Sequence, residues 1–369
     1  MDINKILDEA RRLGCSDLHF TAGLPPVVRL HGSIKKLSGY PDCTEPIIVN
    51  IINQITSMKH KASIQKGLDT DFSYVSASGH RHRVNVYRQR GYHAIAMRLL
   101  RNDIPTLQDL MLPGLMGEFA LRPRGLVLVT GPTGSGKSTT LYAALGEISK
   151  PSNNVITVED PVEKKIEGVN QCQINEKAGM TFGAALRSIL RQDPDIIMVG
   201  EMRDTETAEI AIRAAITGHL VLSTLHTNDA ASTVTRLVDM GVEAYMVATS
   251  LIGIVAQRLT KVLCPECKKP RMSTEEENEL MGLDHSVQVY DPCGCPKCNN
   301  TGYKGRTAIH EILLATPSMQ ALITRGAKAD EIQELAKKEG CHLLRDNVSE
   351  LVQQGKTSMD ELIRVTYAV

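Results

Sequence analysis

The stretch of residues 125–138, GLVLVTGPTGSGKS, constrains the fold of this chain more than any other segment. It begins with a short apolar run, Leu126 to Val129, which is typical of a buried parallel strand. The glycines that follow allow backbone N–H groups to turn inward around phosphate oxygens. The next residues, KSTTLYAALGEI, predict a helix whose N-terminus favours the same anions. The order of strand, glycine loop and helix therefore predicts a site for a nucleoside triphosphate.

The side chains of this loop have separate predicted roles. In the Gly-x-x-x-x-Gly-Lys-Ser/Thr pattern the lysine reaches the terminal phosphates, and the next hydroxyl is placed for Mg²⁺. Lys137 and Ser138 occupy these two positions. The predicted nucleotide-binding residues are Gly131, Pro132, Thr133, Gly134, Ser135, Gly136, Lys137, Ser138 and Thr139.

Length and charge limit the remaining possibilities. With 369 residues, 42% hydrophobic and 23% charged, the chain can bury two or three sizeable cores. Its 42 Lys and Arg balance 42 Asp and Glu, so no overall field attracts nucleic acid or an anionic membrane. We therefore expect no specific binding to nucleic acid.

No segment predicts export or membrane insertion. The N-terminus, MDINKILDEARRL, places Ile3, Ile6, Leu7, Ala10 and Leu13 at helical spacing, which indicates an amphipathic helix and no signal peptide. The longest uncharged stretch covers only residues 244–257, whereas a membrane span needs about 20 residues. We expect a cytoplasmic protein without a transmembrane segment.

The cysteines predict a metal site. In a reducing compartment, an odd total of nine cysteines argues against a disulfide framework. Cys264 and Cys267 lie in CPEC, and Cys295 and Cys298 lie in CPKC. Two such pairs suit one structural Zn²⁺ held by four thiolates. Cys293 lies two residues before the second pair and competes for a ligand position.

Apolar runs recur after the glycine loop, and each ends on polar residues. VITV (155–158) leads to Glu159, Asp160 and Glu163, and IIMV (196–199) leads to Gly200 and Glu201. HLVLSTL (219–225) leads to His226. Helical segments such as TAEIAIRAAITG lie between these runs, so a doubly wound parallel sheet is predicted. In such sheets ligands bind at the carboxyl ends of the strands, where these polar groups should converge.

Each polar group has a functional and a structural interpretation. Glu201 ends a strand beside the glycine loop, which is typical of a Walker B acid that holds Mg²⁺ and polarises the attacking water. Glu163 could act as general base, whereas Asp160 could be only a helix N-cap. His219 and His226 lie at the two ends of one strand and either contact phosphate or are structural histidines.

The N-terminal region predicts a second basic site. RHRVNVYRQRGYHAIAMRLL alternates as two strands, and a turn at Arg90-Gly91 places Arg83 opposite Arg98. Like charges in this arrangement are destabilising unless an anion offsets them. The phosphate of a neighbouring subunit's nucleotide would be such an anion. The alternative is a solvated basic face with a different turn.

These motifs together resemble those of the ATPases of type II secretion and type IV pilus systems. The matching segments are GPTGSGKST, ITVEDPVE, DPDIIMVGEMRD and TGHLVLSTLHTNDA, together with GCSDLHFTAGLPPVVRLHG and GCPKCNNTGYKGRTAIHEIL. The resemblance implies a cytoplasmic homo-hexamer that binds ATP and Mg²⁺ and acts on an inner-membrane platform protein. It also implies Glu163 and Glu201 as catalytic acids, His219 and His226 as coupling residues, and Arg83 and Arg98 as arginines that reach the nucleotide.

The expected fold class is α/β, with a RecA-like P-loop core and a smaller N-terminal α+β domain. The predicted order is an N-terminal domain (1–101), a hinge (102–120), the ATPase core (121–262), a zinc subdomain (263–303) and a C-terminal helical region (304–369).

The direction of the work has two interpretations. The short region before SDLHF resembles pilus-retraction members, whereas the tetracysteine segment resembles assembly and secretion members. The prediction is a motor for pilus or pseudopilus assembly, with retraction as the alternative. A nucleotide-binding regulatory subunit without sustained turnover is a third hypothesis.

Overall fold

The computed structural model describes residues 1–30, 33–100, 104–110, 112 and 114–367. The chain divides into two compact units, Met1–Asp103 and Ile104–Val369. Residues 101–103, 111 and 113 of the region around the predicted hinge lie outside the described residues. Helix α4, defined below, occupies the last part of the predicted hinge.

The N-terminal unit begins with the predicted amphipathic helix. Helix α1 (Ile3–Arg12) is capped by the carboxylate of Asp2 and buries Ile3, Ile6, Leu7 and Ala10. Leu13, expected on the same apolar face, lies at the C-cap and is exposed. The other elements are β1 (Asp17–Phe20), β2 (Val27–Leu30), β3 (Ser33–Lys36), α2 (Glu45–Ile55), α3 (Met58–Gln65), β4 (Thr70–Val75), β5 (Arg81–Gln89) and β6 (Tyr92–Leu99).

These strands form one antiparallel sheet in the order β3-β2-β1-β6-β5-β4. The predicted hairpin is confirmed, since Arg83 pairs with Arg98 across β5 and β6. Arg90 and Gly91 both have positive φ, which matches a two-residue turn.

A row of charged residues crosses this sheet. The register places Arg29 opposite Asp17, Asp17 opposite Arg98, and Arg98 opposite Arg83. Asp17 Oδ1 accepts from Arg98 Nε at 3.1 Å, and Asp17 Oδ2 lies 3.8 Å from Arg29 Nε. A carboxylate of the same chain therefore offsets part of the positive charge, and the pKa of Asp17 is lowered by its hydrogen bonds despite burial.

The larger unit contains the P-loop. Its elements are α4 (Gly114–Ala120), β7 (Gly125–Thr130), α5 (Lys137–Ile148), β8 (Val155–Glu159), β9 (Val169–Gln173), α6 (Phe182–Ile189), β10 (Ile196–Val199), α7 (Thr205–Thr217), β11 (Leu220–Leu225), α8 (Ala230–Asp239), α9 (Ala244–Ser250), β12 (Leu251–Leu263), β13 (Lys269–Met272), α10 (Glu275–Met281), β14 (Gln288–Asp291), β15 (Tyr303–Leu314), α11 (Pro317–Thr324), α12 (Ala329–Lys338), α13 (Leu344–Gln353) and α14 (Met359–Tyr367).

The sheet of this unit has the order β15-β12-β7-β11-β10-β8-β9. Neighbouring strands are parallel from β12 to β9, and β15 alone is antiparallel to its neighbour β12. Strands β7, β8, β10 and β11 are buried along their whole length, as a sheet covered on both faces requires. The predicted α/β class with a P-loop core is confirmed.

The C-terminal region differs from the helices assigned to residues 304–369. Its first part is strand β15, which pairs with β12 as the edge of the main sheet. Ile309 and Leu313 of this strand pack into the core, and the continuous pairing of the segment with β12 makes it a strand of the main sheet. The remaining elements of the region are helices α11 to α14.

The long uncharged stretch of residues 244–257 is divided between helix α9 and the start of β12. Among the residues that the structure describes, no helix has both the length and the apolar character needed to cross a membrane.

Candidate active site

The glycine loop joins a buried strand to a helix, as its sequence predicts. Strand β7 ends at Thr130, and helix α5 begins at Lys137 after Gly136, which has a left-handed φ of +93°. The first N–H groups of a helix have no partner within the helix, so they are available to an anion. This geometry suits the phosphates of a nucleotide.

Lys137 is held inside the loop. Its side chain is buried, and Nζ donates to the carbonyl oxygens of Gly131 at 2.7 Å and Pro132 at 3.1 Å. Burial lowers the pKa of Lys137, while the nearby charge of Glu201 acts in the opposite direction. The hydroxyl of Ser135 is also buried and has no hydrogen-bond partner among the described residues. The loop therefore contains polar groups that phosphate oxygens could satisfy.

A cavity of about 520 Å³ opens beside this loop. Because β7, β8, β10 and β11 are parallel, their carboxyl ends meet at the same edge of the sheet. The polar residues that line the cavity are Thr133, Lys137, Ser138, Thr139, Tyr142, Glu159, Asp160, Glu163, Lys164, Glu201, Thr224, His226 and Arg306. Most of the site residues predicted from the sequence thus surround one space.

Glu201 follows the buried strand β10 and faces the side chains of Arg203 and His226. Its carboxylate forms an ion pair with Arg203, and Oε2 lies 3.4 Å from Nε2 of His226. The hydrogen bond to Glu201 raises the pKa of Arg203 above its ordinary value. Glu201 is only 15% exposed, whereas Arg203 is 62% exposed. Arg203 can therefore leave the carboxylate more easily than the carboxylate can leave the cavity.

The carboxylates after β8 have different environments. Glu159 is buried, and its oxygens accept from Tyr142, from Thr157 at 2.5 Å and from Gln171 at 3.1 Å. A carboxylate that accepts from three side chains is fixed in position by the fold. Glu163, by contrast, is exposed on the wall of the cavity.

Tyr142 connects these two acids. Its hydroxyl donates to Glu159 and accepts from the backbone N–H of Glu163 at 3.0 Å. Burial, with the neighbouring Glu159, raises the pKa of Tyr142, so the hydroxyl keeps its proton and remains a donor. The P-loop helix thereby fixes the loop that carries Glu163.

The structure separates the two histidines of strand β11. His226 lies at the carboxyl end of the strand and lines the cavity. His219 precedes the first residue of the strand, and its Nδ1 lies 3.0 Å from the carbonyl oxygen of Ala214 in α7. Seven residues in extended backbone span about 23 Å. The structure does not bring His219 to this cavity, because His219 lies at the amino end of β11 and the cavity lies at the carboxyl ends of the strands.

Arg83 and Arg98 belong to the other unit. Arg83 is exposed, and Arg98 is 67% exposed while paired with Asp17. Their contact with a nucleotide stays a prediction.

The four predicted metal ligands lie together. Sγ atoms are separated by 3.9 Å between Cys264 and Cys295, and by 3.8 Å between Cys267 and Cys298. All four Sγ atoms lie within 4.8 Å of one another. With Zn–S bonds of about 2.3 Å, a tetrahedral site requires S···S distances of about 3.8 Å. The cluster therefore has the dimensions of a four-thiolate metal site.

Backbone donors prepare this cluster for a metal. Cys298 Sγ accepts from the N–H groups of Cys295 at 3.2 Å and Gly302 at 3.3 Å. Burial acts to raise the pKa of Cys298, but these backbone donors, together with the thiols of Cys295 and Cys267, lower it below its ordinary value. Cys293 is exposed, with its thiol 3.9 Å from the carbonyl oxygen of Asp291, and it is not a member of the cluster.

The sequence interpretation missed several residues at or behind the cavity, among them Tyr142, Arg306 and Gln257. Tyr142 lies in the predicted P-loop helix, where it reads as a core residue. Arg306 reaches the cavity from β15, and Gln257 lies behind the P-loop on β12. A polar side chain within an apolar strand was the signal for Gln257, which ends the uncharged stretch of residues 244–257.

A family described as "Type II/IV secretion system protein" matches residues 81–364. Among curated proteins, the type II secretion system protein E of Aeromonas hydrophila is 49% identical over 254 residues, which is 68% of this chain and 50% of that protein. The type II secretion system ATPase E of Vibrio cholerae is 40% identical, over 99% of this chain and 74% of that protein. The type IV pilus assembly ATPase PilB of Thermus thermophilus is 38% identical, over 99% and 42%.

The alignments thus span from less than half to about three quarters of the curated relatives' length. Among solved structures, the pilus retraction motor PilT with bound ADP is 34% identical, with a TM-score of 0.78. That match covers 99% of this chain and 97% of PilT.

Proposed function

The chain belongs to the type II/IV secretion system protein family, and from this premise we propose that it is an ATPase motor for assembly of a type IV pilus or a type II secretion pseudopilus. The observation that carries the proposal is the single cavity containing the P-loop, Glu201 and Glu163. A module that only bound nucleotide would not need two carboxylates positioned beside the phosphate site.

The proposed chemistry assigns one task to each group. Lys137 binds the terminal phosphates, and the hydroxyl of Ser138 and the carboxylate of Glu201 hold Mg²⁺. When bound, the ion neutralises charge that develops on the phosphate oxygens. Glu163 orients the attacking water and accepts its proton. His226 lies beside Glu201 and directly follows β11, so it is the proposed coupling residue between that acid and the strand.

Two sets of contacts involve the groups that would bind ATP and Mg²⁺. The Nζ donors of Lys137 are bound to carbonyl oxygens of the loop, and Glu201 is paired with Arg203. We infer that the ammonium of Lys137 would donate to phosphate oxygens and that the carboxylate of Glu201 would turn from Arg203 to hold Mg²⁺. Both exchanges are local, because the loop and the strand ends are already in place.

We propose Zn²⁺ as the ion of the tetracysteine cluster. Four thiolates satisfy its tetrahedral preference and leave no open position, so the role is structural. The cluster begins one residue after β12 and ends five residues before β15, so the ion ties the ends of both strands together.

The proposed active form is a homo-hexamer at the cytoplasmic face of the inner membrane, where a platform protein receives the movement. In this form Arg83 and Arg98 reach the nucleotide of a neighbouring subunit. Such arginines contribute on the order of 10³-fold or more to the rate. His219, at the sheet edge opposite the cavity, is the proposed coupling residue toward another subunit.

The test is ATP turnover by the purified protein. Glu201→Gln keeps the shape of the side chain and removes its charge, so it should bind ATP and lose about 10²- to 10³-fold in kcat. Arg98→Ala should also bind ATP and hydrolyse it slowly. Binding without turnover in the unmodified protein would favour a regulatory subunit instead.

Mixed rings test the contact between subunits. Arg98→Ala chains mixed with Glu201→Gln chains should rebuild some sites with both an intact arginine and an intact acid. After subunit exchange, confirmed by tagged co-purification, the mixture should exceed the mean of the two separate activities. Activity equal to that mean would contradict an arginine acting between subunits.

Retraction is the second candidate, and the likeness to PilT over nearly the whole of both chains favours it. A deletion strain distinguishes the two directions of work. Loss of pili indicates assembly, and excess pili indicate retraction.

A further inference from the structure

We propose that Gln257 is a positioning residue that sets the orientation of the phosphate-binding loop. The inference rests on the proposed function, since it concerns how the same cavity holds a nucleotide. Gln257 lies in the middle of β12, next to the P-loop strand β7, and its side chain is 2% exposed.

The side-chain amide of Gln257 is bound at both ends. Nε2 donates to the carbonyl oxygen of Ser135 at 2.8 Å, and Oε1 accepts from the hydroxyl of Thr140 at 2.7 Å. Thr140 lies in the first turn of α5, and Ser135 lies in the glycine loop. One buried amide therefore joins the loop, the helix that follows it and the neighbouring strand.

The contact with Ser135 determines where a phosphate donor points. In a trans peptide the carbonyl oxygen and the next N–H lie in one plane and on opposite sides of the chain. Because Gln257 holds the Ser135 oxygen toward β12, the N–H of Gly136 points away from β12 and into the loop. Gln257 thus orients a donor that it does not touch.

The glycines of the loop leave no room for a different arrangement. A Cβ at Gly136 would lie 2.8 Å from Nε2 of Gln257, and a Cβ at Gly131 would lie 2.3 Å from its backbone oxygen. Both glycines also have positive φ, +93° and +145°. The loop therefore packs directly against Gln257, and at Gly131 and Gly136 there is room only for a hydrogen atom between the loop and Gln257.

Three variants remove different parts of the contact. Gln257→Met has a similar length and neither donates nor accepts a strong hydrogen bond. Gln257→Glu keeps the acceptor for Thr140 and loses the donor to Ser135. Thr140→Val leaves the Ser135 contact in place and releases the other end of the amide.

Thr260→Val is the matched control. Thr260 is buried three residues further along β12, and its hydroxyl contacts Thr357 and Glu361, away from the loop. The Thr260→Val variant therefore removes a buried hydrogen bond from the same strand without disturbing the P-loop. Loss of stability alone is the outcome expected of a merely structural residue.

The measurements are ADP affinity by calorimetry, the KM and kcat for ATP, and the melting temperature. We expect Gln257→Met and Gln257→Glu to weaken ADP binding and raise KM roughly 3- to 10-fold, with little change in kcat. Thr140→Val should have a smaller effect of the same kind. Thr260→Val should lower the melting temperature and leave ADP affinity unchanged.

ADP affinity equal to that of the unmodified protein in folded Gln257→Met and Gln257→Glu would overturn the proposal. If both variants fail to fold, Gln257→Asn decides it, because its side chain is one methylene shorter and withdraws the donor from the Ser135 oxygen: a raised KM supports the positioning role and an unchanged KM overturns it. Failure of the proposed function is distinguishable, because the unmodified protein would then bind ADP without hydrolysing ATP, or bind neither nucleotide.

Discussion

The tetracysteine cluster and the nucleotide cavity collect their side chains in different ways. The cluster takes four identical ligands from two short segments, residues 264–267 and 295–298. The cavity takes different side chains from the P-loop, from the ends of three further strands, and from β15. The ligands of the cluster bind one ion, so the loss of any one of them should release the metal. The residues of the cavity have separate roles, so each substitution should impair one of nucleotide binding, Mg²⁺ binding or hydrolysis.

The largest expected effect is the loss of the metal from the cluster. Cys298→Ser removes a ligand whose sulfur accepts hydrogen bonds from two backbone N–H groups, so Zn²⁺ content should fall from one per chain to nearly none. Elemental analysis measures this content. Binding free energies of about 10 to 16 kcal/mol in isolated zinc-finger peptides indicate that the local fold depends on the ion.

Cys293→Ser is the control for the cluster, because its thiol is exposed and lies outside the four ligands. It should retain the metal in full. Nucleotide binding should survive in both variants, since the P-loop does not contribute to the cluster. Partial metal content in Cys298→Ser, with three thiolates still binding, would break the proposed contrast.

The second effect concerns the phosphate site. Lys137→Ala should weaken ATP binding about 10- to 100-fold, since hydrogen bonds to charged groups contribute about 1.5 to 3 kcal/mol. Lys164→Ala changes a lysine that lines the same cavity outside the P-loop, and it should have a much smaller effect. Titration with a fluorescent ADP analogue measures both affinities. Equal losses in the two variants would mean that general positive charge, and not the loop, binds the nucleotide.

The third and smallest effect concerns Tyr142. Tyr142→Phe removes the donor to buried Glu159 and the acceptor for the N–H of Glu163, so kcat should fall several-fold with little change in KM. The free energy of unfolding should fall by about 1 to 3 kcal/mol, because Glu159 loses a buried donor.

Tyr40→Phe makes the same chemical change in the N-terminal unit, where the hydroxyl contacts Glu9 at 2.6 Å. It should leave the turnover of ATP unchanged. If Tyr142→Phe lowered stability without any change in kcat, Tyr142 would be a core residue and not part of the cavity's machinery.

The same difference explains what could be predicted from the sequence. A repeated Cys-x-x-Cys pair identifies its four ligands by spacing alone, and the P-loop identifies its own lysine and hydroxyl. The register of Arg83 and Arg98 was also predictable, because Arg90-Gly91 selects a two-residue turn. These are local signals, read within one segment of chain.

The missed contacts depend on which strands become neighbours. Gln257 faces the P-loop only because β12 lies beside β7, and Arg306 enters the cavity only because β15 pairs with β12. The two histidines beside β11 also show that sequence position alone does not tell which residues reach the cavity. His219 and His226 are equally close to one strand in sequence, but only the carboxyl end of a parallel strand faces the cavity.

The charged row on the N-terminal sheet has a consequence for sequence variation. Arg29, Arg98 and Arg83 lie in one register with a single carboxylate, Asp17, between the first two. A neutral residue at position 17 would leave three arginines without that offset, and adjacent Arg83 and Arg98 already repel. Variation at position 17 should therefore be accompanied by the loss of an arginine at position 29 or 98, so that these positions change as a set among related chains.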